Sequence, residues 1–495
     1  MKKPTSSLDA VFNPKSVAVT GASPGKQGQL FLDSFLASGF KGKVYAINSK
    51  GQEVSGMKAY KSVAELPGPV DYVVCCIPAP AVPDFVRQCG AKGVKAVSVF
   101  TAGFSEIGSE EGKRLEKETV RAARETGVRI IGPNCLGVYA PKVGFSYTSD
   151  FPRQSGSVAY VCQSGGNSVY VTRAAGYRGV RFSKVISYGN ACDINECELL
   201  EYLVQDEDTK IVAIYIEGVR NGPRFYRALT ELARTRPVVV LKGGYTKAGA
   251  KAAASHTGSL AGSDEVWDEL LQQAGAIRVF SLEELVDVLV TVSLLPTPEG
   301  RRVGIFGGGG GATVLGADDW SKYGFVLPPL PRAIKEELRA SVPTEAGLIL
   351  HNPIDLSGFA YSERFYGLIK RLLTYEDFAD LSVIHIGFGQ AAWFSTSTFE
   401  DQIGIFRDAV IQLKKETSRP LALVMQYLIT GWDWQKGVDD LQQGCAEAGV
   451  PVYYSMASAA RAIDRVLRRH EKRQTAGERN GRQDHCPRSG QGHRK

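Results

Sequence analysis

His256 stands in a run of small residues, Ala252-Ala253-Ala254-Ser255-His256-Thr257-Gly258-Ser259-Leu260-Ala261-Gly262. An imidazole can be a base, a metal ligand or a nucleophile, and tiny neighbours let a ligand approach the main chain closely. The run follows an apolar stretch, Val238-Val239-Val240-Leu241, that ends in Lys242-Gly243-Gly244, and it precedes a helical pattern over 264–274. It therefore reads as a loop at a strand's carboxyl end, where open α/β sheets place their chemistry. Glu217, closing the run 209–218, and Gln163-Ser164-Gly165-Gly166, which turns the strand 156–162 into a helix, belong to the same edge. A helix start offers N–H groups and a positive dipole end to an anion. Two such starts, at Ser164 and after His256, would hold a phosphoryl group for attack by the imidazole. Glu217 is either the partner of the second ring nitrogen or a buried structural carboxylate. The remaining histidines, His351, His385, His470, His485 and His493, are not spaced to share a metal with His256, so no metal site is expected. No G-x-S-x-G elbow is present, and no P-loop or other evident ATP motif, so nucleotide use requires a partner.

Strands, turns and helices alternate from the start. The strand 16–20 leads into Gly21-Ala22-Ser23-Pro24-Gly25-Lys26-Gln27-Gly28 and then a helix from about Gln29 to Ser38, a strand–turn–helix cradle for phosphate. The next strand ends in Asn48-Ser49-Lys50, where an NAD site would place an acid, and the lysine favours an extra phosphate. Further strands are expected over 72–77, 96–101 and 129–131, ending in Pro78-Ala79-Pro80, Thr101-Ala102-Gly103-Phe104 and Gly132-Pro133-Asn134-Cys135-Leu136-Gly137. Five such turns on one edge point to a nucleotide-bearing ligand on a Rossmann-like sheet.

The 495 residues suit three domains. After the Rossmann-like unit at 1–145, two units at 150–297 and 300–468 repeat one pattern. Strands 156–162, 209–218 and 236–241 correspond to 302–306, 379–387 and 419–424. Both units read as flavodoxin-like doubly wound folds, divided near Pro296–Gly300 after a helix opened by the capping box Ser281-Leu282-Glu283-Glu284. Only the first copy carries Glu217 and His256; the second has Gly387 in place of Glu217. The net charge of +7 is concentrated at the end: residues 469–495 hold eight Lys or Arg against three Asp or Glu. Almost free of large apolar residues, this basic tail is expected to be disordered, and the charge does not point to a nucleic-acid groove. No apolar stretch spans a bilayer, no secretion signal opens the chain, and nine scattered cysteines form no disulfide or metal framework. A cytoplasmic protein with reduced thiols is expected.

The combination of Gly21 to Gly28, Ala46-Ile47-Asn48-Ser49-Lys50-Gly51, Gly132 to Gly137, Gln163-Ser164-Gly165, Ser187-Tyr188-Gly189-Asn190, Ile216-Glu217-Gly218 and Ser255-His256-Thr257-Gly258 resembles the NDP-forming acyl-CoA synthetases. It is most similar to the α subunit of the acetyl-CoA synthetase (ADP-forming) type and more distantly to the succinyl-CoA synthetase α subunit. The resemblance covers residues 8 to 467. It implies a CoA-binding first domain, with Gly21, Ala22, Ser23, Lys26, Gly28, Asn48, Lys50, Pro78, Thr101, Gly103 and Asn134 about the cofactor. It implies that His256 becomes phosphohistidine supported by Glu217, with Gln163, Ser164 and Gly165 at the phosphate. The implied reaction is reversible: acyl-CoA, phosphate and ADP give a carboxylic acid, CoA and ATP through an acyl phosphate and the phosphoenzyme. The ATP-grasp domains that bind ADP or ATP with Mg²⁺ would sit on a separate β subunit, and phospho-His256 would swing between sites. The third unit opens with Gly307 to Gly311, where the family usually has an Asn-Ala-Gly-Gly turn. A non-enzymatic acyl-CoA sensor module is the alternative, opposed by His256. An NAD(P) oxidoreductase is opposed by Asn48.

Overall fold

The computed structural model describes residues 8–257, 263–307, 309–340, 349–356, 363–375, 378–387, 399–426 and 435–483. The chain forms two compact units, Met1–Ser293 and Leu294–Lys495.

Two sheets build the first unit. The first sheet contains β1 (Ser16–Thr20), β2 (Lys43–Ile47), β3 (Ala59–Tyr60), β4 (Tyr72–Cys75), β5 (Ala96–Val99) and β6 (Arg129–Ile131). They are parallel and ordered β3-β2-β1-β4-β5-β6, the order of the dinucleotide-binding fold. Runs such as Ser-Val-Ala-Val-Thr in β1 are buried at every position, because helices cover both faces of a parallel sheet. The helix Glu110–Thr126 shows how the sequence sets such a cover. Ser109 caps its first turn, Gly127 ends it at φ 75°, and Leu115, Thr119, Ala122 and Ala123 are its buried face.

The second sheet holds β7 (Gly137–Tyr139), β8 (Val158–Cys162), β9 (Phe182–Ser187), β10 (Ile211–Ile216), β11 (Val238–Lys242) and β12 (Ile277–Val279), ordered β12-β11-β10-β8-β9-β7. The strands from β8 onward follow the flavodoxin-like order. β7 runs antiparallel to β9, pairing Gly137 with Ser187 and Tyr139 with Val185. A first domain ending at 145 therefore needs correction: residues 137–139 already belong to the second sheet, although Phe145 turns back to stack on Phe35 with ring centroids 4.7 Å apart.

The second unit carries β13 (Val303–Gly307), β14 (Ile354–Asp355), β15 (Leu381–Gly387), β16 (Leu421–Gln426) and β17 (Val452–Tyr453), ordered β14-β13-β15-β16-β17. This is the order of β8 to β12 again, as the repeat predicted. Phe306, Ile384, Leu423 and Leu441 lie in its core. Two expectations fail here and in the first unit. The helix Met456–Gln483 continues well past 468, held by Arg301, which pairs with Asp464 at 2.9 Å and Glu471 at 2.8 Å. A basic, apolar-poor stretch thus extends an amphipathic helix whose first turns are buried; residues 484–495 lie outside the described ones. The small-residue run, read as a loop, is helical through Thr257 within the helix Lys247–Thr257. Alanine is the strongest helix former, and the Thr246 hydroxyl accepts the Gly249 N–H at 3.0 Å. Gly258 to Gly262 and the side chain of His256 lie outside the described residues.

Candidate active site

The carboxyl edge of the first sheet is built from close main-chain approaches. Gly21 has φ 75°, and a Cβ there would lie 2.4 Å from the Cys76 carbonyl oxygen. A Cβ on Gly28 would lie 2.5 Å from the Gly21 carbonyl oxygen and 2.8 Å from the Ala22 nitrogen. The helix Gln27–Ala37 therefore begins against the turn, as a phosphate cradle requires. The side chain of Lys26, the residue before it, makes no capping hydrogen bond, and the side chains of Lys26 and Lys50 are exposed at this edge. Ser23 is half-buried and its N–H closes onto the Gly21 carbonyl at 3.0 Å.

Asn48 is placed at this edge, but its carboxamide is used internally. Nδ2 donates to the carbonyls of Ala22, at 2.9 Å, and Gln52, at 2.8 Å, while Oδ1 accepts the Gln52 N–H at 3.0 Å. It clamps the glycine turn to the turn after β2. An acid there would set a carboxylate against two carbonyls, which explains the departure from an NAD site.

Pro78 is exposed beyond β4, next to Ile77, whose carbonyl accepts from Thr101 Oγ1 at 2.6 Å. Gly103 has φ 103° and packs toward Ala79. Its N–H and that of Phe104 donate to the Glu106 carboxylate, at 2.5 and 3.1 Å. Asn134, at φ 58°, donates its N–H to the Thr101 carbonyl at 3.1 Å.

The turn containing Asn134 joins the two sheets. The Pro133 carbonyl accepts the Asn190 N–H at 3.0 Å, Ser187 Oγ accepts the Leu136 N–H at 3.2 Å, and a Cβ on Gly165 would meet Leu136 at 3.2 Å. Asn190 Nδ2 donates to Glu106 and Glu116, at 2.6 and 3.0 Å, and Arg220 Nη2 donates to the Asn190 carbonyl at 2.9 Å. Glu106, Glu116 and Arg220 escaped the sequence reading because nothing local marks them; Asn190 sits in a motif whose contacts are non-local.

At the carboxyl edge of the second sheet, Gln163, Glu217 and Gly243 follow the neighbouring strands β8, β10 and β11. The strand order reverses between β8 and β10, so Gln163 and Glu217 flank the switch point where such sheets bind ligands. Gln163 Oε1 accepts the Glu217 N–H at 2.8 Å. Ser164 caps the helix Gly165–Tyr177 by accepting the Asn167 N–H at 3.3 Å, leaving the glycines 165 and 166 at the mouth of the helix. Glu217 is buried, and Tyr215 Oη donates to its Oε1 at 3.1 Å. That bond engages Oε1, and a carboxylate can accept more than one hydrogen bond. Burial first, and then the Glu217 charge, raise the Tyr215 hydroxyl above its ordinary value.

His256 belongs to the last turn of a helix that starts just beyond β11 and approaches the turn Ser105–Ile107. Its neighbour one turn earlier, Ala253, packs so closely on Gly244 that a Cβ at 244 would lie 2.9 Å away. Ser263 caps the next helix, which spans Asp264–Ala274 where the sequence placed a helical pattern. Among the described residues no group of three His, Cys, Asp or Glu could hold a metal ion, and no helix is long and apolar enough to cross a membrane.

Residues 15–141 match the CoA binding domain family, and residues 155–292 match the succinyl-CoA ligase like flavodoxin domain family. The chain is 35% identical to the acetate–CoA ligase [ADP-forming] I subunit alpha of Pyrococcus furiosus, over 93% of this chain and 97% of the relative. It is 40% identical to the acetate–CoA ligase [ADP-forming] of Methanocaldococcus jannaschii over 72% of this chain, which spans half of that longer relative. The solved dinucleotide forming acetyl-coenzyme A synthetase 1 of Ca. Korarchaeum cryptofilum, in complex with phosphate and ADP, superposes with a TM-score of 0.77 at 30% identity. That match covers 94% of this chain and 97% of the other.

Proposed function

Since the chain belongs to the ADP-forming acyl-CoA ligases, on the α-subunit branch, we propose that its two carboxyl edges divide that reaction between them. As an NDP-forming acyl-CoA synthetase α subunit, the protein serves the reversible conversion of acyl-CoA, phosphate and ADP to acid, CoA and ATP. The observation that carries the division of labour is the turn 132–137, which bonds to Thr101 on one side and packs on Gly165 on the other. It sets a cofactor edge beside a phosphate edge.

The first edge fits the pyrophosphate of CoA: Gly21 and Gly28 keep the cradle about Ala22 and Ser23 free of side chains, and the exposed Lys26 and Lys50 supply positive charge. Pro78, Thr101, Gly103 and Asn134 border the path toward the second sheet. There the helix start at Ser164 and Gly165 receives phosphate. Glu217 takes the proton-bearing ring nitrogen of His256, leaving the other nitrogen neutral and nucleophilic. Gln163 fixes the main chain of Glu217. His256 thus accepts the phosphoryl group from an acyl phosphate and passes it on to ADP.

Relatives named as α subunits, beside a relative of about twice the matched length, support a separate β chain; on this reading that chain holds ADP or ATP with Mg²⁺ in an ATP-grasp fold. The buried single thiols of Cys75, Cys89 and Cys135 suit the reducing cytoplasm. The test is incubation with Mg²⁺, ATP and an ATP-grasp partner, followed by mass spectrometry. Acid-labile phosphate on His256, lost in His256→Ala, is expected. CoA binding without phosphate would favour the sensor module instead.

A further inference from the structure

Lys242 closes β11 and is 2% exposed although it carries an ammonium. Its Nζ donates to the Gly243 carbonyl and lies 5.3 Å over the ring of Trp267. Strand pairing sets Lys242 beside Ile216, one residue before Glu217. A Cβ on Gly243 would come within 3.4 Å of Glu217 Cγ, so the Glu217 side chain passes directly by the residue that Lys242 bonds. Lys242 precedes the segment that carries His256 and Trp267 follows it. Their contact closes the base of that segment.

Glu217 is itself buried, and a phosphoryl group arriving beside it would add a second negative centre to a dry site. Such a site needs a cation. Arg220, three residues after Glu217, is directed at the Asn190 carbonyl and lies 3.9 Å from Glu116. Lys242 is placed for the task. Burial depresses its ammonium below the ordinary lysine value, and the charges of Glu217 and Asp264 oppose that effect without cancelling it. More negative charge nearby would therefore be stabilising.

We infer that Lys242 is a positioning residue that balances the charge of the phosphoryl group at the Glu217 site, which rests on the ligase reading above. The test uses the full chain with its ATP-grasp partner, acetyl-CoA, Mg²⁺ and ADP, and varies inorganic phosphate. Labelled phosphate first establishes the wild-type phosphoenzyme at His256. Lys242→Met is expected to raise the half-saturating phosphate on the order of tenfold and to leave the half-saturating acetyl-CoA and the CoA affinity unchanged. Lys242→Arg is expected to restore the phosphate dependence. Lys242→Gln is a second neutral variant if the first does not fold, with CoA binding as the check on folding. Label on wild-type His256 together with an unchanged phosphate dependence, an equal rise in both constants, or no rescue by arginine overturns the role of Lys242 alone. No label on the wild type overturns the ligase reading itself.

Discussion

The side chain of Gln163 caps the backbone N–H of Glu217 at 2.8 Å, so two strand ends that flank the switch point are held by one amide. Gln163→Met keeps the volume and removes the acceptor. A buried N–H left without its partner costs about 1–3 kcal/mol, read as a lowered denaturation midpoint. The same variant should slow phosphorylation of His256, because the Glu217 main chain loses its fixed position.

Glu217→Gln should preserve the Tyr215 contact and remove the charge. Phosphoryl transfer through His256 is expected to fall on the order of 100-fold, measured by rapid-quench labelling, with CoA affinity unchanged. His256→Ala should abolish the label.

Gly28→Ala should damage the cofactor edge. Its methyl would lie 2.5 Å from the Gly21 carbonyl oxygen, so the helix start must retreat from the turn. Overpacking of this kind costs about 1–3 kcal/mol, and CoA affinity by calorimetry should drop with it. Gly25 has open space but φ 73°. Gly25→Ala should cost about 1 kcal/mol through its backbone alone and weaken CoA less.

Alkaline pH should destabilise the first unit. Burial pushes the thiols of Cys75, Cys135 and Cys162 up to about 12, whereas an unfolded thiol ionises near 8.5. Each folded thiol stays neutral where the unfolded one has lost its proton. Their contribution is complete below pH ~8.5 and is lost as pH rises toward ~12. Thermal melts between pH 8 and 11 should show the loss, and iodoacetamide at pH 8 should leave these three thiols unmodified in the native protein.

Much of this was legible where local pattern and tertiary demand agree. The strand at Ser16–Thr20, the strand at Arg129–Ile131 and the helix at Asp264–Ala274 appear with the predicted bounds, because unbroken apolar runs, glycines and caps mark them. The site positions of Gln163 and Glu217 were legible as strand ends. The helix around His256 was not: small residues suit both a loop and a helix, and the alanines decide the matter. Asn48 was legible as a residue of this edge, but its clamp on the glycine turn was not, since its partners are carbonyls that no side-chain pattern reveals. Lys242 reads as the polar end of a strand until the fold sets Trp267 against its ammonium. The three residues of β7 carry too little pattern to announce a partner at Val185 to Ser187.

That short strand has a mechanical meaning. Because the chain passes from β6 in the first sheet straight to β7 in the second, the main chain itself joins the two carboxyl edges, and Arg129 reinforces the joint through Asp193 and Glu198 at 2.9 and 2.7 Å. The two carboxyl edges therefore share one seam of main chain and ion pairs, and a substitution at Arg129 would loosen both together.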